Sequence, residues 1–204
     1  MNTHWYDASA STSERRARWL RWRGVTLLGT AMAAIAAVGS QARAPELGSI
    51  AFTAAQMGTP LRGSFEEFTV QLDFDPVHPE SGTVRVQVPL ASVSAGSRET
   101  DALLRNGSFF DTANFSQASF AADHFAAQPG GRYLARGSFS LKGHTVIQPV
   151  TFSVASDPKG RWLDGSFSVS RLEFGVGQGE WGDTSTLDDG VEIVFHIRQE
   201  LTAR

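Results

Sequence analysis

The sequence predicts an all-β domain, built as one antiparallel barrel of about eight strands, and three observations support this prediction. Apolar and polar residues alternate with a period of two in most segments after about residue 48, as in strands with one buried face. Turn-forming residues separate these segments, for example at Asp157-Pro158-Lys159-Gly160. Because the one-sided alternation recurs along the whole domain, we expect the sheet to close and leave no edge exposed.

The first 42 residues differ from the rest and predict a cleaved export signal. Five arginines precede the apolar run Gly24–Val38, which is shorter than the roughly 20 residues that span a bilayer. Small residues at Ser40 and Ala42 match a signal-peptidase site, so cleavage is expected after Ala42. We therefore divide the chain into a signal peptide, residues 1–42, and a periplasmic β-barrel domain, residues 43–204. An uncleaved N-terminal anchor is the alternative.

The composition of the exported part limits its partners. Residues 43–204 contain 13 basic and 19 acidic residues, which gives a net charge of −6. Nucleic acid and anionic membrane surfaces select clustered Lys and Arg, so we expect neither as a main partner and no stable membrane insertion after cleavage. The sequence has no cysteine, which excludes disulfides, thiol catalysis and cysteine-based metal sites.

The inward face of the predicted barrel combines many phenylalanines with two glycines. An eight-stranded barrel is either filled by its own side chains or holds one small ligand, and missing side chains at the glycines would leave room. Periodicity alone favours a filled core, because an inward Phe is ordinarily part of one. If there is a ligand tunnel, its predicted lining is Phe68, Val70, Leu72, Val86, Val88, Phe120, Gly137, Phe139, Phe152, Gly165, Phe167 and Phe195.

No catalytic or metal-binding motif stands out in the domain. His78, His124, His144 and His196 are widely spaced, whereas a zinc site needs three or four converging ligands. No Gly-x-Ser-x-Gly sequence marks a nucleophilic serine. We therefore expect no catalytic residue and no metal, although His124 at a strand end is the least easily placed of the four histidines.

Arg98, Asp101 and Arg105 form the most distinctive polar group. Spacings of three and four residues place them on one face of a short helix, where Asp101 can pair with either arginine. One interpretation is a salt bridge that fixes the helix to the barrel. The other is that an arginine binds the polar or phosphorylated head group of a lipid at a tunnel mouth. Arg171 is a further candidate for that head-group role.

The stretch Leu103–Val154 resembles a known family. It contains LLRNGSFFDTANFSQASF, a Gly-rich break and the hairpin GSFSLKGHTVIQPVTFSV. Together with Gly63-Ser64-Phe65 and Arg171–Gly175, this stretch is similar to the YceI-like family of bacterial envelope proteins over about residues 48–200. The resemblance implies a lipocalin-like β-barrel with a short helical insertion, which holds an isoprenoid-type lipid in an apolar tunnel and needs no cofactor.

This resemblance reverses the preference for a filled core. The predicted function is that of a periplasmic, non-enzymatic carrier of a long apolar lipid, of the quinone or polyprenyl type, and a homodimer is compatible with it. Two alternatives are kept. One is an enzyme that acts on a small apolar substrate in the same barrel, through His124 or an Asp–Arg pair. The other is a structural or interaction module with a filled core.

The export prediction is tested by the N-terminus of the protein in a Gram-negative host. We expect the osmotic-shock fraction to contain a chain that begins at Arg43, because the apolar run ends in Ser40-Gln41-Ala42. N-terminal sequencing and intact mass measure this directly. An intact Met1 in the membrane pellet would support the uncleaved anchor instead.

Overall fold

The computed structural model describes residues 47–158 and 160–200. The predicted signal peptide therefore lies outside the described residues, and within them no helix is long and apolar enough to cross a bilayer. These residues form helix α1 (Arg98–Arg105) and ten strands. The strands are β1 (Gly48–Gln56), β2 (Thr59–Phe65), β3 (Thr69–Asp73), β4 (Thr83–Pro89), β5 (Val93–Ser94), β6 (Gln117–Gln128), β7 (Arg132–Leu141), β8 (His144–Asp157), β9 (Gly160–Ser170) and β10 (Gly190–Glu200).

The strands form one curled antiparallel sheet. Its order is β3-β4-β6-β7-β8-β9-β10-β1-β2-β5, so most neighbours are joined by hairpins and β1 pairs with the last strand. Inward residues along the long strands are apolar, and they collect into three neighbouring core clusters. The predicted all-β antiparallel fold with a short helical insertion is confirmed.

Two details of the predicted barrel were wrong. The described residues contain ten strands rather than eight, because β2 and the two-residue β5 lack the alternation that identified the others. The hydrogen-bonded order ends at β3 and β5, so no ladder between these two strands closes the sheet within the described residues. Beside β3, side-chain packing continues the interior: Phe68 is buried in one cluster with Ile50 of β1 and Ile197 of β10.

A β-bulge in β6 changes which residues face the interior. The register against β7 shifts between Ala122 and His124. Before the shift, Ala122 is buried; after it, Phe125 is buried opposite Ala135, and the His124 side chain is 82% exposed. The extra residue thus turns His124 outward and brings a further Phe into the interior.

Gly137 and Gly165 do not leave open space, contrary to the sequence-based interpretation. A Cβ at Gly137 would lie 2.7 Å from the Phe120 ring. A Cβ at Gly165 would lie 2.5 Å from the Phe195 ring. Each glycine is therefore needed because an aromatic ring from the neighbouring strand lies against its backbone.

Gly63 has the same role in β2, where it pairs with Phe52 of β1. The three atoms nearest to a Cβ there all belong to the Phe52 ring, with Cζ at 2.3 Å. In all three pairs the missing Cβ lets the tip of a ring lie close to the glycine backbone. The glycines thus make room in the wall of the sheet for these rings.

The close packing at Gly165 predicts a loss of stability on enlargement. A Cβ there would also lie 2.6 Å from the Thr151 carbonyl oxygen, which the backbone holds in place. Gly165→Ala should therefore lower the free energy of unfolding by about 1–3 kcal/mol. Gly190 is the matched control, because it also lies in a strand and a Cβ there would meet no atom within 4 Å. Gly190→Ala should stay within about 0.5 kcal/mol. Urea unfolding measures both, and equal effects would contradict the packing argument.

Candidate functional site

An apolar cavity of about 230 Å³ lies inside the curled sheet. Every strand except β5 contributes to its lining, as does α1. The lining extends along β9 from Leu163 to Val169, and along β7 from Ala135 to Leu141. The cavity therefore follows most of the length of the strands rather than forming a shallow surface pocket.

Several inward side chains in the middle of the sheet are only partly buried. Phe120, Phe167, Ile193 and Phe195 all line the cavity, and each packs against at least one core cluster without being buried in it. In a filled core, inward rings of this size would be enclosed by neighbouring side chains. Their remaining exposed surface borders the cavity, which shows that the interior is not filled.

One end of the cavity is closed by aromatic rings. Phe125 and Phe152 line this end, and Phe74, only 1% exposed, packs behind them with ring centroids 5.4 and 5.3 Å away. The Tyr133 ring lies 5.0 Å from Phe74 on another side. The Arg161 guanidinium donates a hydrogen bond of 2.8 Å to the Phe74 carbonyl oxygen and so holds its backbone. We call Phe74, Phe125, Tyr133 and Phe152 the aromatic floor.

The opposite end, which we call the helical end, is formed by α1 and by loops. The Ser97 hydroxyl accepts a hydrogen bond from the Thr100 backbone N–H and caps the helix. Spacings of three and four then place Thr100, Leu103 and Leu104 on the face that lines the cavity. Trp181, from the loop between β9 and β10, also lines this end.

Arg171 holds that loop through its backbone. The side chain is 3% exposed, and its five N–H donors all have carbonyl acceptors at 2.6–3.0 Å. Burial lowers the pKa of the guanidinium, and the nearby Asp189 and Asp188 partly offset this effect. The prediction that Arg171 binds a ligand head group was wrong, because no donor is left. The acceptors are the carbonyl oxygens of Val176, Gly177, Trp181, Leu187 and Asp188.

Lys142 fixes the helical end in a similar way. Its ammonium donates to the carbonyl oxygens of Gly107, at 2.9 Å, and Gly175, at 2.8 Å, which belong to two different loops. Burial lowers the pKa of this ammonium, while Asp111 acts in the opposite direction. The β7–β8 turn therefore connects the loop after α1 to the loop after β9.

The cluster of Arg98, Asp101 and Arg105 does not form the predicted salt bridge. Asp101 instead accepts the Ala95 backbone N–H at 2.7 Å. Arg105 donates to backbone carbonyl oxygens of the segment before α1, at 2.9 and 3.0 Å, and none of these three side chains lines the cavity. Asp101 and Arg105 thus attach the helix to the barrel by other bonds than expected, while Arg98 is exposed at the helix start. A head-group role for them is not supported by this placement.

Eight of the twelve residues predicted to line a tunnel do border the cavity. That these eight residues contact a ligand stays a prediction. Phe68 and Val70 do not border the cavity and pack instead in the cluster around Ile50 and Ile197. Gly137 and Gly165 are covered by rings, as described above. The eight that border the cavity are Leu72, Val86, Val88, Phe120, Phe139, Phe152, Phe167 and Phe195.

Sequence reasoning missed several large lining residues. Phe65 lies in the unpredicted β2, and Phe125 follows the bulge. Phe109 and Phe110 lie in a loop, where periodicity gives no direction, although the resemblance drew attention to this pair. Phe52 follows the alternation of β1 and could have been found from it.

The histidines take no part in the cavity. His124 and His196 face outward, next to Asp123 and Asp164 respectively, and the His196 ring stacks on Trp162 at 4.2 Å. None of the four histidines of the domain lines the cavity. In the part of the chain that the structure describes, no three His, Asp or Glu residues are grouped so that they could hold a metal. The alternative of an enzyme acting through His124 therefore conflicts with its position.

A curled antiparallel sheet around an apolar cavity is an architecture that can hold one small ligand. The model of the YceI-like domain family matches residues 42–199, so the chain belongs to the YceI-like family.

Relatives and solved structures agree with this assignment. A UPF0312 protein of Shewanella sp. (strain ANA-3) is 30% identical over 63% of this chain and 71% of its own. BcnA of Burkholderia cenocepacia is 30% identical, with a TM-score of 0.73 over 74% of this chain and 96% of its own. A polyisoprenoid binding domain from Saccharophagus degradans is 11% identical, with a TM-score of 0.58 over 76% of this chain and 94% of its own. At that identity the last comparison shows the fold alone.

The role of Arg171 predicts a large effect of its removal. Arg171→Met leaves buried carbonyl oxygens without donors, so we expect the free energy of unfolding to fall by at least about 3 kcal/mol. Arg105→Met is the control: this arginine also donates to carbonyl oxygens but is exposed, and its loss should cost about 1 kcal/mol or less.

Urea unfolding measures the two free energies, and hydrogen exchange locates the change. Relative to the unchanged protein, Arg171→Met should speed up amide exchange more at residues 172–189 than in the β7–β8 hairpin. A uniform change, or equal losses in the two variants, would show that Arg171 does not hold this loop.

Proposed function

We propose that this protein is a periplasmic carrier that holds the apolar chain of an isoprenoid-type lipid, such as a quinone or a polyprenyl lipid, in its cavity. The observation on which this proposal rests is the unfilled apolar interior. The cavity lies inside a folded sheet, and rings such as Phe120, Phe167 and Phe195 line it without filling it. A hydrocarbon chain is the ligand whose chemistry matches such a wall.

The lining leaves the ligand chain few polar partners. Arg171 is the lining residue with a charged side chain, and the loop carbonyl oxygens use all of its donors. A charged group in the cavity would lose its hydration without compensation, which is costly. The polar end of the ligand therefore belongs outside the cavity, at the helical end, where Gln56 and Thr100 border the lining.

Burial of the ligand chain would supply the affinity. Each buried CH₂ contributes about 0.8 kcal/mol, which has to exceed the cost of association and of ordering a flexible chain. The walls are largely preformed, since both ends of the cavity are packed against core clusters. A preformed site reduces the ordering cost on the protein side.

Family membership and the predicted signal peptide support the same function. The solved domain from Saccharophagus degradans is described as polyisoprenoid binding, and it shares the fold. Export of residues 43–204 would place the barrel in the periplasm. There, an apolar lipid that moves between membranes has to be shielded from water. Among the described residues, the lining contains no histidine, carboxylate, lysine or cysteine, so we propose binding and transport without catalysis.

A bulky residue in the cavity should abolish lipid binding. Ile193 lines the cavity in the middle of β10, and its neighbour Val194 faces outward with 44% of its surface exposed. Ile193→Trp should fill the space and remove the co-purified lipid, whereas the matched control Val194→Trp should retain it. Mass spectrometry of organic extracts from both variants and from the unchanged protein gives the amount of lipid per chain.

The folded state of each variant has to be verified by circular dichroism. Clean extracts from the unchanged protein, together with no uptake of added quinones or prenols, would contradict the proposal. Equal lipid content in the two folded variants would place the lipid outside this cavity.

A further inference from the structure

We infer that the aromatic floor sets an upper limit to the length of the lipid chain, so that this protein selects a single chain of moderate length. The inference rests on the proposed function and makes the substrate class more specific. It starts from two observations: the cavity is long but narrow, and it is closed at one end by rings that other groups hold in place.

The length of the cavity follows from the strand that borders it. Leu163 and Val169 of β9 both line it, and the six steps between them measure about 20 Å along the strand. Strands in barrels tilt by roughly 35–45°, which leaves about 15 Å along the axis for this stretch. The lining continues beyond Val169 to Val176 and Trp181 of the loop after β9. The cavity thus has room for one extended chain somewhat longer than about 15 Å.

The volume of the cavity fits a single chain better than a chain that folds back on itself. The cavity of about 230 Å³ lies below the roughly 300–1,000 Å³ of typical sites for drug-sized ligands. A chain much longer than the cavity would have to fold back beside itself, and the rings of Phe120, Phe167 and Phe195 occupy the walls where a second strand of ligand would lie.

The floor is built to resist extension of the cavity. Phe74 touches the back of both lining rings, Phe125 and Phe152, which are themselves in edge-to-face contact at 6.0 Å. Behind this group, a Cβ at Gly82 would lie 3.1 Å from both the Phe74 and the Phe125 ring, so no free space remains there. The Arg161 hydrogen bond and the contact with Tyr133 fix Phe74 from two further sides.

The two ends of the cavity therefore have different roles. At the helical end, a ligand can extend beyond the lining without displacing a strand, because α1 and loops form that end. At the aromatic floor, the chain must stop. Phe74 acts as a positioning residue, since it does not line the cavity but holds the two rings that do.

The experiment compares prenols of increasing length, namely geraniol, farnesol, geranylgeraniol and solanesol. Binding to the delipidated protein is measured by displacement of the apolar dye N-phenylnaphthylamine. For the unchanged protein, affinity should rise by roughly tenfold or more with each added isoprene unit while the chain stays inside the cavity. It should then stop rising between farnesol and geranylgeraniol, and solanesol should bind no better than geranylgeraniol.

Phe74→Ala should move this limit toward longer chains. Without the supporting ring, Phe125 and Phe152 can turn into the vacated space, so geranylgeraniol should gain affinity by about tenfold while geraniol stays within about twofold. Phe74→Leu and Phe125→Leu are milder variants that should shift the limit in the same direction, and they serve if Phe74→Ala does not fold.

Phe68→Ala is the matched control. Phe68 is almost as deeply buried as Phe74, at 3% against 1% exposure, but it packs beside β3 and does not belong to the floor. Its removal should lower stability without changing the order of affinities among the prenols.

The outcomes separate this inference from the proposed function. If no prenol displaces the dye from any folded variant, the proposed function fails. If prenols bind but affinity keeps rising up to solanesol, the length limit is wrong while the carrier function stands. An unchanged limit in Phe74→Ala, Phe74→Leu and Phe125→Leu, or the same shift in Phe68→Ala, would show that the aromatic floor does not set it.

Discussion

The structure depends on one constraint: the inner face of the sheet has to be apolar enough to drive folding and still leave its axis empty. An unfilled interior forfeits dispersion contacts along its lining, which lowers stability. The protein offsets this loss with dense packing at both ends of the cavity, around Phe174 and Leu90 on one side and Phe74 on the other, all at most 1% exposed. Between these ends, rings lie close to glycine backbone, so the walls are apolar while a cavity remains between them.

The two ends reach their packing by different means, and this difference gives the barrel a direction. The aromatic floor consists of rings on or next to regular strands, so opening it would break ladder hydrogen bonds. The helical end consists of α1 and loops that Arg171 and Lys142 hold through backbone carbonyl oxygens. Loops held by a few side chains open at a lower free energy than central strands do. We therefore expect ligand exchange to occur at the helical end.

Alternation in the sequence was sufficient to predict the fold class and most of the lining, and it failed where the backbone departs from regularity. β2 was missed because Pro60 and Gly63 interrupt its pattern, although Gly63 is there to accommodate the Phe52 ring. The bulge before His124 inverted the expected faces, which hid Phe125 and left the histidine unexplained. The glycines were recognised as important, but a sequence cannot show whether the space above a glycine is empty or filled by a ring.

Arg171 shows most clearly what a sequence cannot contain. Its charge and its place beside a loop made it a reasonable candidate for binding an anion. Its role depends instead on five carbonyl oxygens that only the folded loop brings together. The same holds for Lys142, whose two acceptors come from separate loops. Backbone carbonyl oxygens occupy all five donors of Arg171 and two of the three donors of Lys142, which does not line the cavity, so neither cation is placed to attract a charged group into it. Selection inside the barrel must then rest on the apolar character, width and length of the ligand chain.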